Sequence, residues 1–202
     1  MCSIHRSFKF KFNLKFSPAL HEDNYISLEK WRIILYRMSM IGEYKTKELS
    51  YGDLSKRILV GEDQFIITGN GTGMYANLDG TQYSRVLKCD LKRLTVEATG
   101  PIAPSAQSYL HFLFYKTCPQ INFLFQIEHS DLASFMQQGG FTKLTTDPDF
   151  DIMAQQIQSK IGDQSSGIIV TDQNQILSFG PTPELAGKLV LETLKNSKND
   201  PL

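Results

Sequence analysis

The residue types best suited to chemistry form a glycine-rich segment, Thr68-Gly69-Asn70-Gly71-Thr72-Gly73, which directly follows an apolar run. Glycines let backbone N–H groups approach an anion closely, and Thr and Asn add side-chain donors. The segment lacks the Gly-Lys-Ser/Thr ending of a P-loop and the glycine spacing of a Rossmann loop. Two interpretations follow, an ordinary turn or a cradle for a phosphate or carboxylate.

Two further segments could contribute to such a cradle. Ser105 follows a rigid Gly- and Pro-containing loop and is predicted to cap a helix over residues 106–116. The free N–H groups and the dipole of a helix N-terminus favour an anion, although a plain helix cap explains Ser105 equally well. The third segment is Gly52-Asp53-Leu54-Ser55.

Strands and helices that could position these residues alternate along the whole chain. Helical spacing of apolar residues, with Ser27 as the first cap and Gly42 as the first stop, predicts helices over residues 27–41, 106–116, 130–138, 149–160 and 184–195. Short apolar or β-branched runs predict strands over residues 57–60, 64–68, 86–89, 94–97, 123–128, 167–171 and 175–179. Because hairpins connect some of the strands, the sequence indicates one α/β domain with a mixed or antiparallel sheet.

Length, composition and charge exclude several classes of protein. The chain has 202 residues, 41% of them apolar, which is enough for one domain with a sizeable core. No stretch reaches the roughly 20 apolar residues of a membrane-spanning helix. The 21 basic and 21 acidic residues cancel, so no overall charge drives binding to nucleic acid.

The zero net charge hides a basic N-terminal arm, for which we predict the boundaries 1–24. Residues 1–16 contain four basic residues and no acid, and Phe and Lys alternate over residues 8–12. Alternation with a period of two predicts a strand with one wet face. The alternatives are a loose arm, a contact with a partner or a membrane surface, and an artefact of the start site. Residues 25–195 then form the domain, and 196–202 a polar, frayed tail.

Cysteines are sparse. Cys2, Cys89 and Cys118 show no C-x-x-C spacing, which argues against a disulfide framework and a zinc knuckle. This usage fits a reducing, cytoplasmic environment, with Cys89 and Cys118 as buried structural thiols.

Taken in order, the three candidate segments resemble the class II aldolase/adducin family. That family binds the phosphate end of its substrate through Gly-Asn-x-Ser, Ile-Thr-x-Ser-Gly-Thr and Pro-Ser-Ser segments, and the resemblance extends over residues 27–195. It implies a single three-layer α/β domain with a mixed, largely antiparallel sheet flanked by helices. It also implies a site for a small phosphorylated ligand built from eight residues: Gly52, Asp53, Thr68, Gly69, Asn70, Gly71, Thr72 and Ser105.

The sequence departs from the family where the enzymes need their chemistry. The ungapped match to the family's His-x-His metal motif is Gln126-Ile127-Glu128, and a shift by one residue places Ile127 and His129 there instead. The third metal histidine falls on Asn174, or near Asp172 if the turn differs in length, and the acid/base carboxylate falls on Gln107. An amide neither accepts nor releases a proton at neutral pH, and it is a poor zinc ligand. We therefore predict no catalytic residue, no metal and no other cofactor. A rearranged metal site from Glu128, His129 and Asp172 is the alternative.

Three functions remain for such a chain. The first is a catalytically degenerate binding or assembly module, for which the head domain of adducin sets a precedent. The second is an active lyase, epimerase, dehydratase or decarboxylase acting on a small phosphorylated sugar through a rearranged site. The third is a surface contact made by the basic arm. The resemblance also implies a homo-oligomer, commonly a tetramer, and no nucleic-acid partner.

Overall fold

The structure is a computed structural model that describes residues 9–44 and 49–199. Its strands are β1 Lys11–Phe16, β2 Gly42–Tyr44, β3 Leu49–Tyr51, β4 Asp53–Arg57, β5 Phe65–Thr68, β6 Tyr83–Asp90, β7 Thr95–Gly100, β8 Phe123–Glu128, β9 Lys143–Leu144, β10 Gly167–Thr171 and β11 Gln175–Gly180. Its helices are α1 Glu22–Arg37, α2 Ser108–Thr117, α3 Ser130–Gln138, α4 Phe150–Ile161 and α5 Pro183–Asn199.

Among the described residues, nine strands form one mixed sheet, in the order β1-β7-β6-β5-β4-β8-β11-β10-β9. All the inner pairings are antiparallel, whereas the two outermost pairings, β1 with β7 and β9 with β10, are parallel. The hairpins predicted at residues 86–97 and 167–179 account for two of the antiparallel pairings. The prediction of a mixed, largely antiparallel sheet is confirmed.

Helices cover both faces of the sheet and give the molecule three layers. On one face α1, α3 and α5 contact one another or the central strands, and α2 and α4 pack together on the other. Each interface has its own core, represented by Phe125 and Ile127 on the first face and by Leu124 and Phe114 on the second. Alternate residues of β8 therefore enter opposite cores, as the period-two geometry of a strand requires.

The first helix begins and ends five residues or so before its predicted limits. It starts at Glu22, so Ser27 lies inside it and is not its cap, and it ends at Arg37, well before Gly42. Glu22 and Asp23 in the first turn interact favourably with the helix dipole, a signal that the apolar spacing did not contain. The helix stops early because Ser39 adopts a positive φ and turns Met40 and Ile41 into the core.

Two other boundaries were predicted wrongly for packing reasons. The strand expected at 57–60 is Asp53–Arg57, because Arg57 is buried whereas Leu59 and Val60 stand exposed in the following turn. The last helix extends to Asn199, four residues into the predicted tail, and residues 200–202 lie outside the described part. The short strands β2, β3 and β9 were not predicted.

The Phe- and Lys-rich segment contributes a strand to the edge of the sheet. Residues 1–8 lie outside the described part, and Lys11–Phe16 pairs in parallel with β7 from Thr95 to Gly100. Phe10 is buried against the ring of Tyr109.

Cys89 and Cys118 are buried and free, and burial raises their thiol pKa values to about 12 and about 11. Across residues 9–44 and 49–199, no helix is long and apolar enough to cross a membrane.

Candidate functional site

One end of the central sheet gathers the polar residues singled out from the sequence. Strand β4 begins there with Asp53, β5 ends there with Thr68, and β8 ends there with Glu128. The pairing of β4 with β8 places Asp53 directly opposite Gln126. Antiparallel pairing thus joins residues that are up to 75 positions apart in sequence into one region.

Asp53 forms the centre of a compact polar cluster. Thr68 Oγ1 donates to Asp53 Oδ1 at 2.8 Å, and Ser105 Oγ donates to Asp53 Oδ2 at 2.7 Å. Burial raises the pKa of Asp53, and the hydrogen bonds from Ser105 and Thr68 together with the charge of Arg32 oppose this rise. Below, Asp53, Thr68 and Ser105 are called the Asp53 cluster.

Ser105 does not cap the helix as predicted. Helix α2 begins at Ser108, and Gln107 occupies its N-cap position without a side-chain cap. The Ser105 hydroxyl accepts from the Gln107 backbone N–H at 3.1 Å and donates its proton to Asp53. The hydroxyl is therefore held in place from both sides.

The glycine-rich segment forms a tight loop beside the Asp53 cluster. The backbone N–H of Asn70 donates to Ala103 O, and that of Ser105 donates to Thr68 O, which joins this loop to the loop before α2. Gly71 has a φ of 75° and precedes a short 3-10 helix, Thr72–Met74. Asn70 and Gly71 are exposed, whereas Thr72 is buried and its hydroxyl donates to Gly69 O. Gly52, with a φ of 85°, leads into Asp53.

All eight predicted site residues thus lie in or beside one region, and their role in ligand binding stays a prediction. The side chains of Asp53, Thr68 and Ser105 are bonded to one another. Thr72 points its hydroxyl back into its own loop. Asn70 and Gly71 are exposed and Gly52 and Asp53 are half-buried, whereas the other four residues are buried.

An ion pair behind the glycine-rich loop was missed from the sequence. Arg32 of α1 is 1% exposed and donates to the backbone carbonyls of Thr72, Tyr75 and Ala76. Its partner Glu29 lies 3.7 Å away and accepts from Leu78 N and Tyr83 Oη. A charged pair at i and i+3 inside an apolar helix face is the signal that could have found it.

A second buried polar chain, also missed, runs beneath the Asp53 cluster. Ser55 Oγ lies 2.6 Å from His111 Nδ1 and 2.7 Å from Tyr115 Oη. Burial lowers the pKa of His111 to about 3, so the imidazole is neutral. Gln126 faces the ring and opposes this lowering of the pKa, although neither His111 Nε2 nor Gln126 Oε1 has a hydrogen bond of ordinary geometry. A fully buried, neutral imidazole is unsuited to exchanging protons with a ligand.

The residues predicted from the sequence to stand at the family's metal-binding positions either have other partners or are exposed. Glu128 accepts a hydrogen bond from Tyr44 Oη. The pKa of Tyr44 is raised mainly by burial and further by the neighbouring Glu128 carboxylate. Gln126 is buried against His111. Asn174 lies exposed, with a φ of 63°, in the turn between β10 and β11.

The alternative metal set of Glu128, His129 and Asp172 is not assembled. His129 caps α3 by accepting from Leu132 N with its Nδ1 atom, and Asp172 Oδ1 accepts from Thr146. Within the described ranges, no group of three His, Cys, Asp or Glu side chains is placed to hold a metal ion.

Solved structures share this fold, although no family model and no curated protein sequence matches the chain. YgbL from Escherichia coli, a candidate aldolase, epimerase or decarboxylase, is 14% identical with a TM-score of 0.64, and the alignment covers 88% of this chain and 87% of that one. The L-fuculose-1-phosphate aldolase of Thermus thermophilus is 15% identical with a TM-score of 0.60, covering 88% and 91%.

A third structure agrees over nearly its full length. The N-terminal class II aldolase domain of a Thermoplasma acidophilum protein is 12% identical with a TM-score of 0.60, covering 91% of this chain and 96% of that one. At identities this low, the likeness establishes a shared architecture and does not extend to a shared activity, because one fold can host many functions. The family resemblance seen in the sequence is confirmed at this level: the chain adopts the class II aldolase fold.

Proposed function

We propose that this chain is a binding module with the class II aldolase fold and does not catalyse metal-dependent aldol cleavage. The observation that carries the proposal is the side-chain chemistry at the end of β8 and β11. Gln126 is buried against a neutral histidine, Glu128 binds Tyr44, and Asn174 lies in an exposed turn. Neutral amides do not supply the imidazole ligands with which proteins hold a Lewis-acidic zinc ion.

A zinc and activity measurement tests the proposal. Purified protein incubated with excess Zn²⁺ and then desalted should retain well under one equivalent by elemental analysis. It should also release no aldehyde from L-fuculose 1-phosphate, the substrate named for one protein of the same fold. One bound zinc per chain together with cleavage would refute the proposal.

A matched gain-of-function variant shows whether the three positions correspond to metal ligands. The triple variant Gln126→His, Glu128→His, Asn174→His supplies three imidazoles at these positions and should bind zinc where the parent does not. The control exchanges three exposed polar residues away from this end of the sheet, for example Glu62, Gln158 and Asp163, for histidine.

An active enzyme with a rearranged site is the second candidate, and one contact favours it. Tyr44 and Glu128 form a hydrogen-bonded phenol–carboxylate pair at the end of the sheet, and both groups are of the types that serve in general acid/base catalysis. Such a lyase, epimerase, dehydratase or decarboxylase would lose turnover in both Tyr44→Phe and Glu128→Gln. A screen of phosphorylated and free sugars that yields no turnover by the parent protein decides against it.

We further propose that the chain forms a homo-oligomer through a surface beside the glycine-rich loop. Leu49, Met74 and Tyr75 are exposed by 56%, 52% and 46%, and β3 contacts the short helix that ends at Met74. Exposed apolar clusters of this kind mark interaction surfaces. Light scattering should show an oligomer that Met74→Glu weakens, whereas Ile152→Glu on the exposed face of α4 should leave it unchanged.

A further inference from the structure

The hydroxyl donors of the Asp53 cluster are both used for hydrogen bonds within the cluster. Both hydroxyl protons, from Thr68 and Ser105, are donated to the two oxygens of Asp53. An anion bound at this end of the sheet would need those donors for itself. The carboxylate has the same acceptor geometry as one edge of a phosphate or carboxylate ligand, so it stands where such a group would be held.

We propose that Asp53 determines the ligand specificity of this site, because its carboxylate occupies the cluster and thereby excludes phosphate and phosphorylated compounds. The proposal rests on the proposed function of a binding module and on the ligand-binding role that the sequence predicts for the cluster, and it names the class of ligand that this role admits. It replaces the phosphorylated ligand expected from the sequence with one that carries no anionic group.

The charges around the cluster also disfavour the binding of an anion. Glu128 lies close enough to raise the pKa of Asp53, so a second carboxylate borders the site. The nearby cation is Arg32, but its guanidinium donates to three backbone carbonyls of the glycine-rich loop and pairs with Glu29. Arg32 therefore holds the loop and has few donors left for an incoming anion.

A change from Asp53 to Asn reverses each of these effects. It removes one negative charge, and the amide group can donate to Ser105 Oγ, which then directs its own proton elsewhere. The amide keeps one oxygen to accept from Thr68, so the shape of the cluster is retained. The Ser105 hydroxyl and the second N–H of the amide thus become free to donate to an anion.

Titration of ¹⁵N-labelled protein with inorganic phosphate and with glycerol 3-phosphate tests the proposal. Asp53→Asn should show saturable shifts of the Gly69–Thr72 and Ser105 amides, with an affinity at least about tenfold above the parent protein, which is a change of about 1.4 kcal/mol. Asp131→Asn, which removes the same charge from an exposed position on α3, should bind like the parent.

Two outcomes would overturn the proposal. One is phosphate binding by the parent protein as tight as that by Asp53→Asn, and the other is a folded Asp53→Asn variant that gains nothing. If Asp53→Asn does not fold, Asp53→Ser removes the same charge with a smaller side chain. Adding Ser105→Ala to the variant should abolish the gain. Zinc content and aldol cleavage, measured on the same samples, report separately on the proposed function.

Discussion

Two ionisable residues at the end of the sheet that carries the Asp53 cluster have pKa values shifted in the direction that favours their neutral forms. Burial raises the pKa of the Asp53 carboxyl and lowers that of the His111 imidazole to about 3. Both shifts have the same cause, because a low-dielectric environment disfavours whichever form carries the charge. Both also link stability to pH, in opposite directions.

Asp53→Asn should stabilise the protein at neutral pH. The folded pKa of Asp53 lies above its unfolded value near 3.9, so stability is lost as pH rises through that range. The variant carries no such group, and its melting temperature should exceed that of the parent at pH 7 and converge with it below pH 4. A melting-temperature difference that does not change with pH would contradict the assigned cause.

His111→Gln should flatten the loss of stability in acid. The folded pKa of about 3 lies below the unfolded value near 6.5, so stability is full above about pH 6.5 and falls as pH decreases toward 3. The loss of stability is at most about 1.4 kcal/mol for each pH unit between the unfolded and the folded pKa. Urea unfolding at pH 7, 5 and 4 measures the slope, and the exposed His21→Gln should retain the slope of the parent.

At the level of elements, the glycine-rich loop owes its shape to α1. Arg32 reaches three carbonyls between Thr72 and Ala76, which lie 40 to 44 positions away in sequence. Glu29, one turn earlier, accepts from Leu78 N. A helix on one face of the sheet thus fixes the loop that borders the Asp53 cluster.

Arg32→Ala should destabilise the protein by about 3–5 kcal/mol, because it leaves Glu29 buried without its cation. Arg32→Lys keeps the charge but not the fork of donors, and it should cost less while loosening the loop. Amide hydrogen exchange at Gly71–Leu78 should accelerate in both variants. The exposed Arg37→Ala serves as the control and should change stability by about 0.5 kcal/mol or less.

Most elements were predictable because their signals are local. The strand Phe123–Glu128 and the helix Ser130–Gln138 match their predicted bounds, with Gly139 directly after the helix. The limits of α1 and β4 could not be predicted from the sequence, because the burial of Met40, Ile41 and Arg57 determines them. Burial is a property of the assembled sheet and leaves no periodic pattern in a short segment.

At the scale of the whole molecule, the N-terminal strand completes the sheet and its helical layer. Strand β1 covers the edge of β7, which would otherwise present unpaired backbone groups. Phe10 stacks on Tyr109 with ring centroids 5.2 Å apart and belongs to the core between the sheet and α2. The basic segment is therefore attached to the domain from residue 10 onward.

Phe10→Ala should lower the free energy of unfolding by about 3 kcal/mol, as expected for a buried aromatic ring. Phe16→Ala is the matched control, because Phe16 is 75% exposed and Phe10 only 9%. Phe16→Ala should remain within about 0.5 kcal/mol of the parent protein. Equal losses in the two variants, measured by urea unfolding, would show that Phe10 is not part of the core.

The sequence by itself determined the class of fold and the order of most elements, because residue types and their spacing carry this information directly. Only the tertiary structure decided which partners the polar residues of the three candidate segments meet. Asp53 meets Thr68 and Ser105 across 15 and 52 positions, and Ser55 meets His111 across 56. Strand register and loop closure decide which of these distant residues meet. The residues predicted to form an anion cradle therefore include a carboxylate, Asp53, that accepts the hydrogen bonds of the other two.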